Sequence, residues 1–555
     1  MSNLSRRSFL KGAALGALGM TAMSAGVALA EDKSGIAWDA EADVVVVGTG
    51  TVITAAIAAS ENGARVIVLE KDESIFGGTS GSSGGGYALP GYLDTFREEG
   101  IEDSREKCLE YMKNVGEGRM SEEVMAAFLD NAGEYVEWTK KTLGWSKFAH
   151  VNRSHTDYYE LYKGSIGFGR GSAFPFDAEG NRMTAGSEWA QYKAYIESHD
   201  NVTLMMGTEA TKLITDANGA VIGLYAKQGD KALAIKAGKG VILGTGGFDY
   251  NEEMRKQYLA FPIYRSCASR MNTGDGHRMG AMIGGKLALM DRVFGTPCAY
   301  DEAVWNEDDD RNYGLVRATG YVDWATFLTF PHSMLVNRKG RRFANEPREY
   351  DTMNRAFSAY DNGVMKFENI PGFFICDAQY TRRFLLPGYG APGALPAFVS
   401  EYATLEELAD GMGIDREGLL AEVARYNEFV RNGVDRDWHR GESQDAYDTM
   451  MYAATGFCAL PGADNTDLTG LTATMGTIEK GPFYCCRYVP GSCGTRGGLV
   501  VNGNSQVINQ EGSVIEGLYA AGCCSTGVAG YWAGGACIAQ GCVMSYVAAK
   551  HAMGR

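Results

Sequence analysis

Asp43-Val44-Val45-Val46-Val47 runs directly into Gly48-Thr49-Gly50; a helix-compatible stretch, Thr54 to Asn62, separates it from Arg65-Val66-Ile67-Val68-Leu69-Glu70. The β-branched runs read as strands and the intervening segment as a helix, so the stretch is a βαβ unit with a glycine turn. Glu70 lies 22 positions after Gly48, the spacing at which an acidic residue meets a ribose. Gly48 permits the tight turn, and Gly50 lets the backbone approach a pyrophosphate at the helix N-terminus. The third position of the fingerprint is Ile53 rather than Gly or Ala, which leaves the close packing of helix on strand unaccounted for.

The residues after Glu70 suit a long dinucleotide. Lys71-Asp72-Glu73 leads to Gly77-Gly78-Thr79-Ser80 and then Ser82-Ser83-Gly84-Gly85-Gly86. This second Gly/Ser-rich loop can wrap the dinucleotide and approach a flat ring, which a bare nicotinamide site does not require. Farther along, Val241-Ile242-Leu243 is another strand ending in glycines, Thr245-Gly246-Gly247-Phe248. Thr273-Gly274-Asp275-Gly276 opens a helix, and Gly517-Leu518-Tyr519-Ala520-Ala521-Gly522 leads into Gly534-Gly535-Ala536 and a small-residue helix.

Composition narrows the function classes. The 555 residues are 45% hydrophobic and 22% charged, and the length predicts two to four domain-sized units. The net charge of −16 argues against a nucleic-acid or anionic-membrane surface. The 73 glycines cluster in loops, as in a binder of cofactor phosphates. Twelve cysteines do not imply a disulfide framework in a chain this long, and Cys485-Cys486 and Cys523-Cys524 are neighbours that rarely bridge. The thiols are expected to be mostly buried. No CxxCH or CxxC occurs, and the seven histidines show no HxxxH or HExxH spacing, so no metal site is expected.

Ser5-Arg6-Arg7-Ser8-Phe9-Leu10-Lys11, a weakly apolar stretch from Gly12 to Leu29 and a terminal Ala28-Leu29-Ala30 resemble a twin-arginine signal with its cleavage site. The expectation is export in the folded state to the periplasm or the outer face of the cytoplasmic membrane. No later run reaches the length of a membrane span. Residues 100 to 165 and Leu405 to Asn432 read as helices, and Glu307 to Asp310 belongs to a solvated acidic loop.

Taken together, the glycine turn with Glu70, the Gly/Ser loop at 77–86, the 245–248 and 273–276 segments, Gly340-Arg341-Arg342-Phe343-Ala344-Asn345-Glu346, and the two C-terminal glycine motifs resemble the FAD-dependent fumarate reductase/succinate dehydrogenase flavoprotein superfamily. The resemblance implies an α/β fold: a doubly wound, Rossmann-like FAD-binding domain interrupted by an α+β capping domain. The expected boundaries are a signal at 1–30, FAD-binding segments at 36–293 and 481–555, and the cap at 294–480. It also implies FAD contacts at Gly48, Gly50, Thr51, Glu70, Lys71, Gly78, Thr79, Ser80, Ser83, Gly84, Gly85, Ala210, Gly246, Asp275, Gly522, Cys523, Ala536 and Ile538. Cys523 stands where the superfamily often carries Glu or Asn, so its flavin contact is expected through backbone.

The branch is read from the residues expected at the substrate. A dicarboxylate reductase of this superfamily uses two histidines and an acid arginine. Here Thr296-Pro297-Cys298, Gly494-Thr495-Arg496-Gly497-Gly498 and Tyr350 occupy those places, so fumarate reduction is not expected. Tyr350 and the C-terminal Tyr531-Trp532-Ala533-Gly534-Gly535 look instead like the 3-ketosteroid dehydrogenase branch. That likeness implies Tyr350 as the proton-transfer residue and Tyr531 with the Gly535 N–H as donors to a ring carbonyl. The match departs at Trp532, Ala533 and Gly534, and the branch's third tyrosine is placed at Tyr87.

These residues suit a C=C bond conjugated to a carbonyl in a flat substrate such as a ketosteroid. Hydride arrives at or leaves from the β-carbon, two donors hold the enolate oxygen, and a tyrosine moves the α-proton. The same groups serve both directions; export favours reduction, with electrons from a separate membrane cytochrome or quinol. Two alternatives remain: an enoate reductase for an aryl-acrylate or other monocarboxylate, with Arg348 or Arg496 as carboxylate anchor and Arg348 as the next candidate acid, and a flavin electron carrier or sensor.

Overall fold

The strand Ala40–Val47 is hydrogen-bonded in parallel to Val66–Leu69 on one side and to Lys231–Leu243 on the other, and its Val44, Val45 and Val46 are fully buried. A strand covered on both faces can be an unbroken apolar run, which is why these valines do not alternate with polar residues. The computed structural model describes residues 36–150, 157–167, 170–299, 324–454, 458–528, 530 and 532–555. The expected signal segment, the acidic loop Glu307 to Asp310 and Tyr531 lie outside the described residues.

The parallel sheet has the order Gln506–Ile508, Val514–Ala520, Lys231–Leu243, Ala40–Val47, Val66–Leu69, Val202–Met205, and an antiparallel hairpin, Thr208–Thr215 with Val221–Gln228, joins it at Lys231–Leu243. Only the terminal Gln506–Ile508 edge runs antiparallel to its neighbour along that path. The fold is therefore the α/β architecture implied by the motifs. The helix Ile53–Glu61 is buried from Ile53 through Ser60, and the C-terminal helix Ala536–Ala552 packs on it. Thr54 Oγ1 donates to the Cys542 carbonyl at 2.8 Å across that contact. The close approach missing from the fingerprint at Ile53 comes from the neighbouring strand end: a Cβ on Gly244 would lie 2.2 Å from Val52 Cβ.

The second sheet has Cys298–Ala299, Phe483–Val489, Gly372–Asp377 and Ser333–Val336 in order, with Ser400–Tyr402 also paired to Phe483–Val489. Alternate residues of Gly372–Asp377 feed two cores, as strand geometry requires. Phe373 and Ile375 pack with Leu408, Leu419 and Tyr426, whereas Phe374 and Cys376 face an aromatic cluster with Phe330, Tyr380 and Phe384. Cys485 and Cys486 fall on opposite faces of this sheet for the same reason. Phe483–Val489 is a central strand here, so the sheet extends past the expected boundary at 480. The helices expected around 100–165 and 405–432 are Arg105–Val115, Glu122–Leu143, Leu405–Met412 and Arg416–Asn432. No helix among the described residues is long and apolar enough to cross a membrane.

A buried acid lies beneath the first sheet. Glu188 is 1% exposed, and the hydroxyls of Tyr87 and Tyr192 both donate to its Oε1. Burial pushes its carboxyl up to about 8. Because this lies above the unfolded value, the stability it contributes is complete at acid pH and is lost as pH rises through about 8. Glu188→Gln keeps an acceptor without a titrating proton. Denaturation midpoints should therefore fall less between mildly acidic and mildly alkaline pH in this variant than in the wild type; parallel slopes would contradict the buried, protonated state.

Candidate active site

At the C-terminal end of the parallel strands the chain turns sharply at Gly48, with φ at +108°. A Cβ there would lie 2.3 Å from the Gly244 carbonyl oxygen, so only glycine fits. Glu70 closes the next strand and accepts from Thr49 N at 3.1 Å, Thr49 Oγ1 at 2.5 Å and Asp72 N at 2.9 Å. Burial raises its pKa, and these donors work against that rise. Lys71 Nζ bridges Thr273 Oγ1 at 2.7 Å and Asp275 at 3.0 Å, tying the ribose end to the 273–276 turn. The Gly/Ser loop is held from behind: Gly77 N donates to Thr49 Oγ1 at 2.9 Å, and Trp189 Nε1 to the Thr49 carbonyl at 3.0 Å.

A continuous cleft runs from this turn to the second sheet's helices. Every expected FAD contact lines it except Ala536, which is buried at the start of the C-terminal helix. At the far end it meets Thr326, Glu349, Tyr350, Thr449 and Tyr452 from the cap, and Tyr158, Phe294 and Thr296. Thr296 Oγ1 is buried there without a hydrogen-bond partner among the described residues. The glycine turn, the acid at the ribose distance, the length of the cleft and this orphaned hydroxyl together fit FAD.

Tyr350 is the first residue of the helix Tyr350–Arg355. Glu349 caps that helix, its two carboxyl oxygens accepting from Asp351 N and Thr352 N at 2.7 Å each. The stretch before it is anchored by a buried ion cluster: Arg342 lies 2.7 Å from Glu346 and 2.9 Å from Asp435, and Arg440 Nη2 donates to the Phe330 carbonyl at 2.7 Å. Gly535 comes to the same cleft from the opposite unit. It precedes the C-terminal helix with φ at +83°, and a Cβ would lie 2.5 Å from the Gly86 carbonyl. Its backbone thus sits at the positive end of a 17-residue helix. Ser172 N donates to the Gly534 carbonyl at 2.8 Å and Tyr111 Oη to the Trp532 carbonyl at 2.7 Å, which fixes this turn.

Three expectations are placed differently. Tyr87 is not on the cleft; it is fully buried beside Glu188, Tyr135, Trp145 and Phe148. The tyrosine beside Tyr350 is Tyr158, their rings edge to face with centroids 5.8 Å apart. Arg348 does not line the cleft but pairs with Glu160 at 2.6 Å. Arg496 holds Asp351 at 2.8 Å and the Val293 carbonyl at 2.7 Å, again off the cleft lining. Among the described residues, then, neither arginine presents a spare charge to a ligand. Glu349, Thr449 and Tyr452 carry no motif signal. The cysteines form no disulfide among the described residues; eight are buried and four half-buried, and those four, Cys267, Cys493, Cys523 and Cys537, all line the cleft.

Residues 43–538 match the family described as FAD binding domain. The chain belongs to that family. It is an FAD-dependent oxidoreductase acting on CH–CH groups. It is 30% identical to 4-oxocyclohexanecarboxylate 2-dehydrogenase of Sinomonas cyclohexanicum, over 92% of this chain and 93% of that protein. It is 29% identical to 3-oxosteroid 1-dehydrogenase of Mycolicibacterium smegmatis, over 88% of this chain and 93% of that one. The solved structure of 3-ketosteroid delta1-dehydrogenase from Sterolibacterium denitrificans superposes with a TM-score of 0.77 at 25% identity, covering 93% of this chain and 99% of that chain.

Gly48→Ala tests the flavoprotein site directly. The added methyl has no room against Gly244, so the purified variant should have lost flavin absorbance while the far-UV signal of the remaining fold persists. A wild-type flavin-to-protein ratio would show that the strand ends move apart and that this turn does not control binding.

Proposed function

We propose that this enzyme transfers hydrogen at a C=C bond conjugated to a carbonyl in a flat enone, with Tyr350 as the proton-transfer residue. The observation that carries the reading is convergence: Tyr350 from the cap and Gly535 from the C-terminal helix border the cleft that the dinucleotide motifs line. Bound there, FAD supplies or accepts the hydride. Tyr350 Oη holds the proton that the α-carbon gains on reduction or loses on dehydrogenation. The Gly535 N–H, backed by the dipole of Ala536–Ala552, takes the charge that develops on the carbonyl oxygen in this reading. Tyr531 is the second donor on the strength of its sequence position. Phe294 and Tyr158 give the cleft flat walls and keep water from the enolate.

The relatives named for oxosteroids and for 4-oxocyclohexanecarboxylate share a ring ketone, which supports a cyclic enone here. A carboxylate anchored by Arg348 or Arg496 would have to break the Glu160 or Asp351 ion pair, so the enone reading is favoured over an enoate. The twin-arginine segment supports export and, with it, reduction fed by a membrane cytochrome or quinol.

A panel of cyclic enones and aryl-acrylates, with reduced viologen as donor, tests the reaction class; turnover confined to acids would overturn it. Tyr350→Phe should keep its FAD and lose about two to four orders of magnitude in turnover on the best enone, the usual worth of a positioned acid. Full activity in that variant would return Tyr350 to a packing role.

A further inference from the structure

Tyr350 raises a question of supply. Each reduction removes the phenolic proton inside a cleft where Tyr350 is only 9% exposed, so another group must restore it. Glu349 is the sole acid that the cap places on the cleft among the described residues, and it is 1% exposed. Its two partners are backbone N–H groups, and it makes no ion pair among the described residues. Asp445 lies in the helix Gln444–Ala454, whose Thr449 and Tyr452 also reach the cleft. It is fully buried, and neither of its carboxylate oxygens has a hydrogen-bond partner among the described residues. A carboxylate left that way is costly, so burial pushes the Asp445 carboxyl well above the usual carboxylate range, with Glu349, Glu160 and Asp448 adding their repulsion and Arg348 opposing it. The Asp445 N–H donates to Glu160 Oε2 at 3.3 Å, and the Glu160 side chain is 14% exposed.

We propose that Glu349 returns the proton to Tyr350 in each turnover, with Asp445 resupplying it from the solvent edge at Glu160. This rests on the reading of Tyr350 as the proton-transfer residue. In reduction the Tyr350 O–H bond breaks as the α-C–H bond forms, leaving the phenolate. The Glu349 O–H bond then breaks and the phenol O–H bond re-forms, and the resulting carboxylate takes its proton from Asp445. No electron moves in these steps. Glu349 and Asp445, with no ion pair among the described residues, can store the proton, whereas the nearby Asp351 pairs with Arg496 and Arg355, and Glu160, paired with Arg348, marks only the solvent edge of the path. A helix cap alone accounts for the two N–H contacts but not for an uncompensated acid on a second helix beside it.

Burial and the neighbouring Asp351 push Glu349 up to about 8, with Arg355 from the same helix opposing them. The protonated form is therefore the resting one at neutral pH, and turnover in the reducing direction should fall as pH rises through about 8. Glu349→Gln should lower turnover on the order of ten- to a hundred-fold at neutral pH and abolish that alkaline limb, with flavin content unchanged; Glu349→Asp should restore part of both. Independently of turnover, the resting holoenzyme should show protonated-carboxyl infrared absorption that loses one component in Glu349→Gln and another in Asp445→Asn. A uniform loss of rate with the alkaline limb intact would reduce Glu349 to a helix cap, and an infrared spectrum unchanged in both variants would overturn the relay. If Tyr350→Phe is inactive while Glu349→Gln is normal, only the relay fails; if Tyr350→Phe is fully active, the reading of Tyr350 fails first.

Discussion

The cleft exists because two strand ends touch backbone to backbone. Gly48 and Gly244 come so close that a Cβ on either would overlap the other strand's turn, and that contact brings the Ile53–Glu61 helix down onto the sheet. A helix seated there points its N-terminal N–H groups over the strand ends, which is what an anionic pyrophosphate requires. The Gly/Ser loop depends on the same contact. Thr49, fixed by the turn, receives Gly77 N on its hydroxyl and Trp189 Nε1 on its carbonyl, so one tight turn positions both walls of the dinucleotide end.

The far end is built on charge rather than glycine. The stretch 342–346 carries no ligand-facing side chain; its Arg342 and Glu346 are fully buried in a cluster with Asp435 and Arg440. Breaking one partner of such a cluster leaves an unpaired ion in the interior, so its geometry resists change. Tyr350 comes within one turn of chain after it and inherits that rigidity. Opposite it, Arg170 is held between Asp103 and Asp157 with no exposure and steadies the segment that contacts Trp532 and Gly534. Two buried ion clusters, one in each unit, thus steady segments that lead to the cleft.

The parallel sheet and the dinucleotide end were legible in the sequence because local rules govern them. Valine runs, glycine turns and an acid at fixed spacing each have a mechanism acting over a few residues. The missing third glycine shows the limit: the small residue that allows close packing is Gly244, about 190 positions away and beyond the reach of any spacing rule. Tyr87 failed similarly. It comes directly after the Gly/Ser loop, yet its side chain turns inward to Glu188, whereas Tyr158, on a separate segment, meets Tyr350. Arg348 and Arg496 looked available because their partners, Glu160 and Asp351, are distant or unremarkable in sequence. Glu349 and Asp445 were illegible because an acid's role depends on the absence of a cation, which only the packed chain reveals.

The charge pattern also constrains what the cleft can hold. At the cap end the nearby arginines are spent on Glu160 and Asp351, and burial pushes the carboxyls of the acids left over, Glu349 and Asp445, upward so that they favour their protonated forms. An enolate forming there adds one negative charge, which backbone donors at a helix N-terminus can hold in a low-dielectric setting. A substrate carboxylate would add a second charge with no counter-ion among the described residues, and it would raise the neighbouring acids further. In the proposed relay, the same lack of a counter-ion that disfavours a second anion keeps a transferable proton near Tyr350. On the proposed reading, selectivity for an uncharged enone and readiness to protonate it are therefore two consequences of one arrangement of carboxyl groups.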